Sequence, residues 1–205
     1  MSQPSDSRFT IRDFQKRDFD ALFKLDRLCF EPGVAYSRPE LSSFIEQRRS
    51  YTIVAEWNEA NEAIAIPAPA NAAEVLSIET APLKASGNNA ATPSRRTGAK
   101  ATAQPNTPRA PIAGFVTFHL KRQEYGHIIT LDVHPDARRQ RLGTLLMQAA
   151  CDKLRQLTAF MVVLEVAVNN HTALSFYDRH GFQRIKVLEG YYHRGLDAIF
   201  MTKRL

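Results

Sequence analysis

Between Ile128 and Leu146 the sequence changes its period in mid-course. Ile128, Ile129, Leu131 and Val133 form an apolar, β-branch-rich run suited to a buried strand. Pro135, with no N–H to donate, ends that ladder. Arg138, Arg139 and Arg141 crowd the next turn, and Leu142, Leu145, Leu146, Ala149, Leu154 and Leu157 then recur at helical spacing. A strand that feeds a basic turn and then a helix makes a seat for an anion. The first-turn N–H groups of the helix lack an intrahelical acceptor, and the helix dipole adds about half a positive charge there. On these residues alone, an ordinary strand-to-helix turn with solvated arginines is the alternative. The common phosphate-binding patterns do not apply, since the chain contains neither G-x-x-x-x-G-K-[ST] nor G-x-G-x-x-G.

The chain of 205 residues is long enough for one well-filled core and carries a formal charge of +6, which suits an anionic ligand, either nucleic acid or a phosphorylated cofactor. Two cysteines far apart, Cys29 and Cys151, argue against a disulfide scaffold or a zinc site and fit a reducing compartment. No run approaches the roughly 20 apolar residues of a membrane span, and Met1 to Arg8 lacks an apolar signal core. The expectation is a soluble, cytoplasmic protein that binds no metal.

Taken in order, residues 1–8 read as a flexible tail and Phe9–Phe14 as a first strand. Asp18 is positioned to cap a helix carrying Phe19, Leu22, Phe23, Leu25, Leu28 and Cys29, which stops at Glu31-Pro32-Gly33. Ser37 caps a second helix with Pro39 in its first turn, and Tyr51–Trp57 is the next strand. From about 58 to 111 Ala, Pro, Asn and Thr dominate. Such a segment buries too little apolar surface to offset ordering entropy, so it reads as a disordered insertion within one domain spanning 9–205. Its second half carries only basic charges, Lys84, Arg95, Arg96, Lys100 and Arg109, which raises the option of a ribosome or RNA contact beside that of a solvated excursion. Folding resumes with the strand Ile112–Leu120, then the opening stretch, then a central strand Phe160–Val168. Asn169 or Asn170 caps a short helix ended by Gly181, and two strands, Phe182–Leu188 and Leu196–Thr202, close the chain. The order β-α-α-β-β-β-α-β-α-β-β predicts a three-layer α/β/α domain with a mixed, mostly antiparallel sheet.

Val133-His134-Pro135-Asp136-Ala137-Arg138-Arg139-Gln140-Arg141-Leu142-Gly143-Thr144-Leu145-Leu146 resembles the acetyl-CoA signature of the GNAT acetyltransferases, V-x-P-x-x-R-R-x-G-x-G-x-x-L, with Arg141 in place of the first glycine. The element order is also that of this superfamily. Leu164-Glu165-Val166, followed by Asn170, Ala173, Tyr177, Gly181 and Phe182, is similar to the L-E-V…N-x-x-A-x-x-x-Y-x-x-x-G-F pattern of protein N-terminal acetyltransferases of the ribosomal-protein-alanine type. The resemblance implies a GNAT-like fold and acetyl-CoA as co-substrate. It implies cofactor contacts from Leu131, Asp132, Val133, Arg138, Arg139, Gln140, Arg141, Leu142, Gly143, Thr144, Asn170 and Tyr177, largely through backbone groups. The strand before the seat would bulge and splay, leaving the Val133 N–H as a one-donor oxyanion site. Arg141 would swing outward toward a cofactor phosphate, on the expectation that a helical backbone there does not require a positive φ.

Glu165 interrupts an apolar strand on the face opposite its neighbours, and burial there would suit it to general-base work. By resemblance it accepts the amine proton, and Tyr177 protonates the departing thiolate. Without the motif, Glu165 reads equally as a rim carboxylate and Tyr177 as a core aromatic. Of the scattered histidines, His127 and His193 are alternative bases. Tyr191 and Tyr192, with His193, Arg194, Asp197 and Ala198, resemble the substrate-contacting hairpin of N-terminal acetyltransferases. Phe30 and Tyr36 resemble the loop that lines their first-residue pocket. The acceptor implied is the α-amino group of a peptide or protein N-terminus. At pH 7 roughly a tenth of such groups are neutral, against about 0.04 per cent of lysines. A small amine or lysine acceptor, or a silent acetyl-CoA-binding module, are the alternatives.

Overall fold

The computed structural model describes residues 8–30, 35–58, 111–122, 124–192 and 195–205. Most of the expected tail and of the expected insertion, with all the insertion's basic residues, lie outside them. Strand β1 (Phe9–Asp13) leads through a 3-10 turn (Lys16–Asp18) into α1 (Phe19–Cys29). Then come α2 (Arg38–Glu46), β2 (Ser50–Trp57), β3 (Ile112–Leu120) and β4 (Tyr125–Val133). After α3 (Leu142–Gln156) the chain runs through β5 (Met161–Ala167), α4 (His171–Arg179), β6 (Gln183–Leu188) and β7 (Ala198–Arg204).

The seven strands form one sheet in the order β1-β2-β3-β4-β5-β7-β6. Every neighbouring pair is antiparallel except β4 with β5. β4 therefore takes the middle position, and β5, expected there from its composition, lies beside it. β2 and β3 pair along their length, and the Trp57 N–H donates to the Pro111 carbonyl at 3.1 Å. The chain thus leaves the sheet at 58 and rejoins it at the neighbouring strand.

The helices divide between the two faces. α3 and α4 cover one, where Leu142, Leu146, Met147, Leu154, Ala173 and Leu174 pack on Val116, Phe118, Ile128, Leu131, Leu164 and Val166. α1 and α2 cover the other, with Leu22, Leu25, Cys29 and Leu41 against Val54, Phe115 and Ile129. Close approach of α3 depends on Gly126, where an added Cβ would meet Leu154 Cδ1 at 2.3 Å.

The caps follow the sequence with one exception. Ser37 and Glu40 form a capping box with Pro39 in the first turn, Asn170 accepts from the Ala173 N–H, and Gly181 ends α4 at φ +82°. Asp18 does not cap α1 with its side chain. The preceding 3-10 turn places it in helical conformation, and its buried carboxylate binds Arg12 at 2.7 Å and the Gln15 N–H at 2.7 Å. It ties the helix entry to β1.

Candidate active site

β4 and β5 pair only at their start, through Tyr125–His127 and Met161–Val163, and then part. The cause is visible on β4. Thr117 pairs with Thr130 but Phe118 with Ile128, so Ile129 is an extra residue that bends the strand. Ile128 and Leu131 consequently face α3 while Ile129 faces α1. The two strands leave a wedge-shaped gap whose walls are unpaired backbone.

Alternation tells which groups look into it. The His134 N–H donates to the Ala113 carbonyl at 2.8 Å, so the N–H groups of Val133 and Leu131 turn away from β3 and toward the gap. On the opposite wall the Val168 N–H donates to the Asp197 carbonyl at 3.1 Å, so the backbone of Glu165 and Ala167 faces the gap. Two phenols hold these walls. Tyr36, from the α1–α2 connection, donates to the Ile129 carbonyl, and Tyr192, from the β6–β7 connection, to the Glu165 carbonyl, both at 3.3 Å. Tyr191 stacks edge-on against Tyr192 at 5.0 Å between ring centroids. Tyr36, Tyr191 and Tyr192 thus come together across the gap, and Phe30 lies in the same apolar cluster as Tyr36. His193 and Arg194 lie outside the described residues.

Glu165 is 5 % exposed, on the α1 face of β5. His127, on β4 at the mouth of the gap, donates from Nε2 to Glu165 Oε2 at 2.7 Å. His119 sits opposite His127 in the β3–β4 register, donating from Nε2 to the Phe44 carbonyl at 2.9 Å. Burial lowers its pKa to about 4, so it stays neutral. Burial likewise lowers the pKa of Lys121, a shift that Glu165 opposes.

Tyr177 is fully buried, held by edge contacts with Phe176 and Phe182, yet its hydroxyl has no hydrogen-bond partner among the described residues. A buried unpaired hydroxyl costs about 1–3 kcal/mol unless something supplies the missing partner. Burial, then the nearby Tyr192 and Asp132, push the phenol well above its ordinary range, so it keeps its proton. The cysteines are also held protonated. Burial pushes Cys151 up and Cys29 up to about 12, and the Cys29 thiol donates to the Val133 carbonyl at 3.4 Å.

At the end of β4 the chain makes a 3-10 turn (Pro135–Ala137) and enters α3 through two left-handed residues, Arg139 at φ +57° and Arg141 at φ +63°. Position 141 therefore does take the conformation that glycine favours, and the expectation of an ordinary helical backbone there is corrected. The left-handed residue is what turns the chain into the helix. Left-handed Arg141 before helical Leu142 makes successive N–H groups converge, a nest for an anion, just where the first-turn donors of α3 are free. Arg139 and Arg141 are exposed around it. Arg138 is half-buried and donates to the Val133 carbonyl at 3.3 Å. Gln140 bridges the Asp136 carbonyl at 2.5 Å and Arg8 at 3.2 Å. Leu142 and Leu131 bury their side chains in the core and offer only backbone. Gly143 packs its helix turn on Phe176, and the Thr144 hydroxyl meets His180 Nε2 at 3.1 Å. Asn170 spends its side-chain oxygen on the α4 cap.

Asp132, grouped by resemblance with the cofactor contacts, lies apart from them. Its N–H faces β3 and its buried side chain faces α1, beside Asp26. Asp26 and the His127–Glu165 contact had escaped the sequence reading. Asp26 falls on the same helical stripe as Leu22, Leu25 and Cys29, a signal that was legible. The histidine contact depends on how two strands part and was not. Among the described residues no group of three or more His, Cys, Asp or Glu could hold a metal, and no helix is long and apolar enough to cross a membrane.

Residues 91–182 match the acetyltransferase (GNAT) family. The N-alpha-acetyltransferase of Saccharolobus solfataricus is 35 % identical over 81 residues, 39 % of this chain and 48 % of that one. N-alpha-acetyltransferase 30 of Schizosaccharomyces pombe is 42 % identical over 73 residues, 36 % of this chain and 49 % of its own length. The matches cover about half the length of these curated relatives. Among solved structures, the ribosomal-protein-S18-alanine N-acetyltransferase of Escherichia coli superposes with a TM-score of 0.65 at 18 % identity, covering 96 % of this chain and 93 % of that one. The NatC complex bound to Gag peptide and CoA gives a TM-score of 0.63 at 20 % identity, covering 97 % and 99 %. These likenesses establish the GNAT fold.

Proposed function

We propose that this protein, a GNAT acetyltransferase domain in fold and in its matching segment, transfers the acetyl group of acetyl-CoA to the α-amino group of a peptide or protein N-terminus. The observation that carries this reading is the β4–β5 gap, with a buried carboxylate on one wall and an unpartnered buried phenol beneath it. The named N-alpha-acetyltransferase relatives support the choice of acceptor.

The residues fit the donor substrate. The nest at Arg141–Thr144 suits the pyrophosphate, with Arg139 and Arg141 beside it, and the backbone of Leu131 with the N–H of Val133 suits an extended amide-bearing arm as an added strand. When bound, acetyl-CoA supplies an activated acyl carbon and a thiolate leaving group. The Val133 N–H offers a donor to an oxygen placed in the gap. Glu165 takes the proton released by the amine as the new C–N bond forms, directly or through one water, and His127 holds its carboxylate in place. Tyr177 keeps its proton until the C–S bond breaks and then gives it to the sulfur. Transfer is direct in a ternary complex, because both thiols are buried and held protonated and neither can act as a nucleophile.

Incubation with acetyl-CoA and a peptide library, read by mass spectrometry, tests the reading. Acetylation of α-amino groups is expected. Acetylation confined to lysine or small amines would reassign the acceptor. Tight acetyl-CoA binding with no product on any amine would leave only a binding module.

A further inference from the structure

Two buried carboxyl groups stand on the α1 face, and the mechanism above does not use them. Asp26 on α1 is 0 % exposed and Asp132 on β4 is 1 % exposed. One oxygen of each is tied into the fold. Asp26 Oδ2 accepts from the Tyr36 N–H at 2.8 Å, and Asp132 Oδ1 from the Thr130 hydroxyl at 2.5 Å. The second oxygen of each, Asp26 Oδ1 and Asp132 Oδ2, is buried without a hydrogen-bond partner among the described residues. α1 packs on the face of β4 that carries Asp132, and there burial and the nearby Asp26 raise the Asp132 pKa, while burial and Glu40 raise that of Asp26.

Folding alone does not account for this pair. Burying a carboxyl group with half its acceptors unpaired destabilises the native state, and a second one beside it adds repulsion. The arrangement fits a site whose ligand brings the donors. Its place is specific. Asp132 directly precedes Val133, whose N–H looks into the gap. It lies on the strand that forms one wall of the gap, and Asp26 holds the N–H of Tyr36, whose hydroxyl binds the same strand at Ile129. The ligand chemistry that satisfies it is a compact cation with several N–H donors. At pH 7 roughly nine-tenths of α-amino groups arrive in that form, as ammonium.

We propose that Asp132, positioned by Asp26, is the docking point for the ammonium group of the acceptor, which it holds at the gap before Glu165 removes a proton. This rests on the reading that the acceptor is a primary amine. The ammonium gives one N–H to Asp132 Oδ2 and its first proton to Glu165, which releases it to water. The lone pair so exposed attacks the thioester carbonyl, Glu165 takes the second proton as the C–N bond is completed, Tyr177 protonates the departing sulfur, and the aspartate pair ends the cycle with the protons it began with. Tyr36 is bound to the same assembly through its N–H on Asp26, so the docking point and the pocket wall are set together.

The test uses the full chain. Asp132→Asn is expected to keep or raise thermal stability, to leave acetyl-CoA affinity within about 2-fold, and to raise the KM of an α-amino peptide about 10-fold or more. Asp26→Asn should move KM in the same direction by less. A peptide whose α-amino group is replaced by hydroxyl should compete with the wild type about 10-fold more weakly than the amino peptide, and equally well on Asp132→Asn. A purely structural aspartate would lower stability and leave that discrimination intact. Unchanged KM and unchanged discrimination would overturn the proposal and show that the pair merely shares a proton internally. If Asp132→Asn fails to fold, equal binding of the amino and hydroxyl peptides to the wild type overturns it instead. Should the wild type acetylate no amine, the functional reading itself falls, an outcome distinct from an active enzyme indifferent to Asp132.

Discussion

Toward α3 and α4, strands β2 to β5 present Ile53, Val116, Phe118, Leu131, Leu164 and Val166. Toward α1 and α2 the same strands present Thr52, Thr117, His119, Asp132 and Glu165, all buried. One sheet thus carries an apolar face and a face in which buried polar groups are interleaved with the core. The first is what a stable domain needs. The second costs stability wherever a polar atom lacks a partner, and among the described residues such atoms are found on Asp26, Asp132 and Tyr177, beside Ser50 at the start of β2. Tyr177 belongs to the apolar layer and carries one of these atoms, its hydroxyl. The difference teaches where to look for function: among residues that weaken the fold unless a ligand completes them.

Substitutions should therefore separate into those that harm activity and those that harm stability. Glu165→Gln is expected to lower kcat about 100-fold or more with the fold retained. A wild-type rate would remove Glu165 from the mechanism and move the base to His127. On the apolar face, Leu146→Ala should destabilise by about 2–5 kcal/mol in denaturant unfolding, while the fraction that stays folded keeps its KM values. Tyr177→Phe should reduce kcat about 10-fold or more and leave stability unchanged or slightly raised, because an unpaired buried hydroxyl is removed. Loss of stability with full activity would break the comparison.

The pH dependence of stability sharpens it further. Burial raises Asp26 from 3.8 to about 7. Between those values the native state binds more protons than the unfolded chain, so this group's contribution to stability is lost as pH rises from about 4 to about 7. His119, lowered from 6.5 to about 4, acts oppositely, its contribution being lost as pH falls through the same window. The stability difference between Asp26→Asn and wild type should accordingly grow from pH 5 to pH 7.5 in thermal melts. A constant difference would place the Asp26 carboxyl in water. The smallest effect is expected at the cofactor seat. Arg141→Gly should relieve about 1 kcal/mol of left-handed backbone cost and retain acetyl-CoA binding. A large gain in affinity would show that the arginine side chain obstructs the seat.

The strand and helix order was legible from periodicity and caps because those signals are local. Pro135, Ser37, Asn170 and Gly181 each act within a few residues of where they sit. Asp18 misled for the same reason, since its partner Arg12 lies on β1. The left-handed Arg141 was not legible, because an arginine gives no sign of positive φ. Asp132 shows how far the residues could reach. It breaks an apolar strand between Leu131 and Val133 as Glu165 does between Leu164 and Val166, and the same argument from alternation places it on the polar face. What alternation does not contain is the bulge at Ile129, and hence the parting of β4 from β5 that makes a site between two such carboxylates.

The most direct test is a crystal structure with a peptide joined through its α-nitrogen to the sulfur of CoA by an acetyl bridge. The account predicts that the bridge lies between β4 and β5, with its carbonyl oxygen on the Val133 N–H, its sulfur on the Tyr177 hydroxyl and its nitrogen on the Asp132–Glu165 side. A bridge seated anywhere else, or one in the gap with Tyr177 and Glu165 both out of contact, would contradict it.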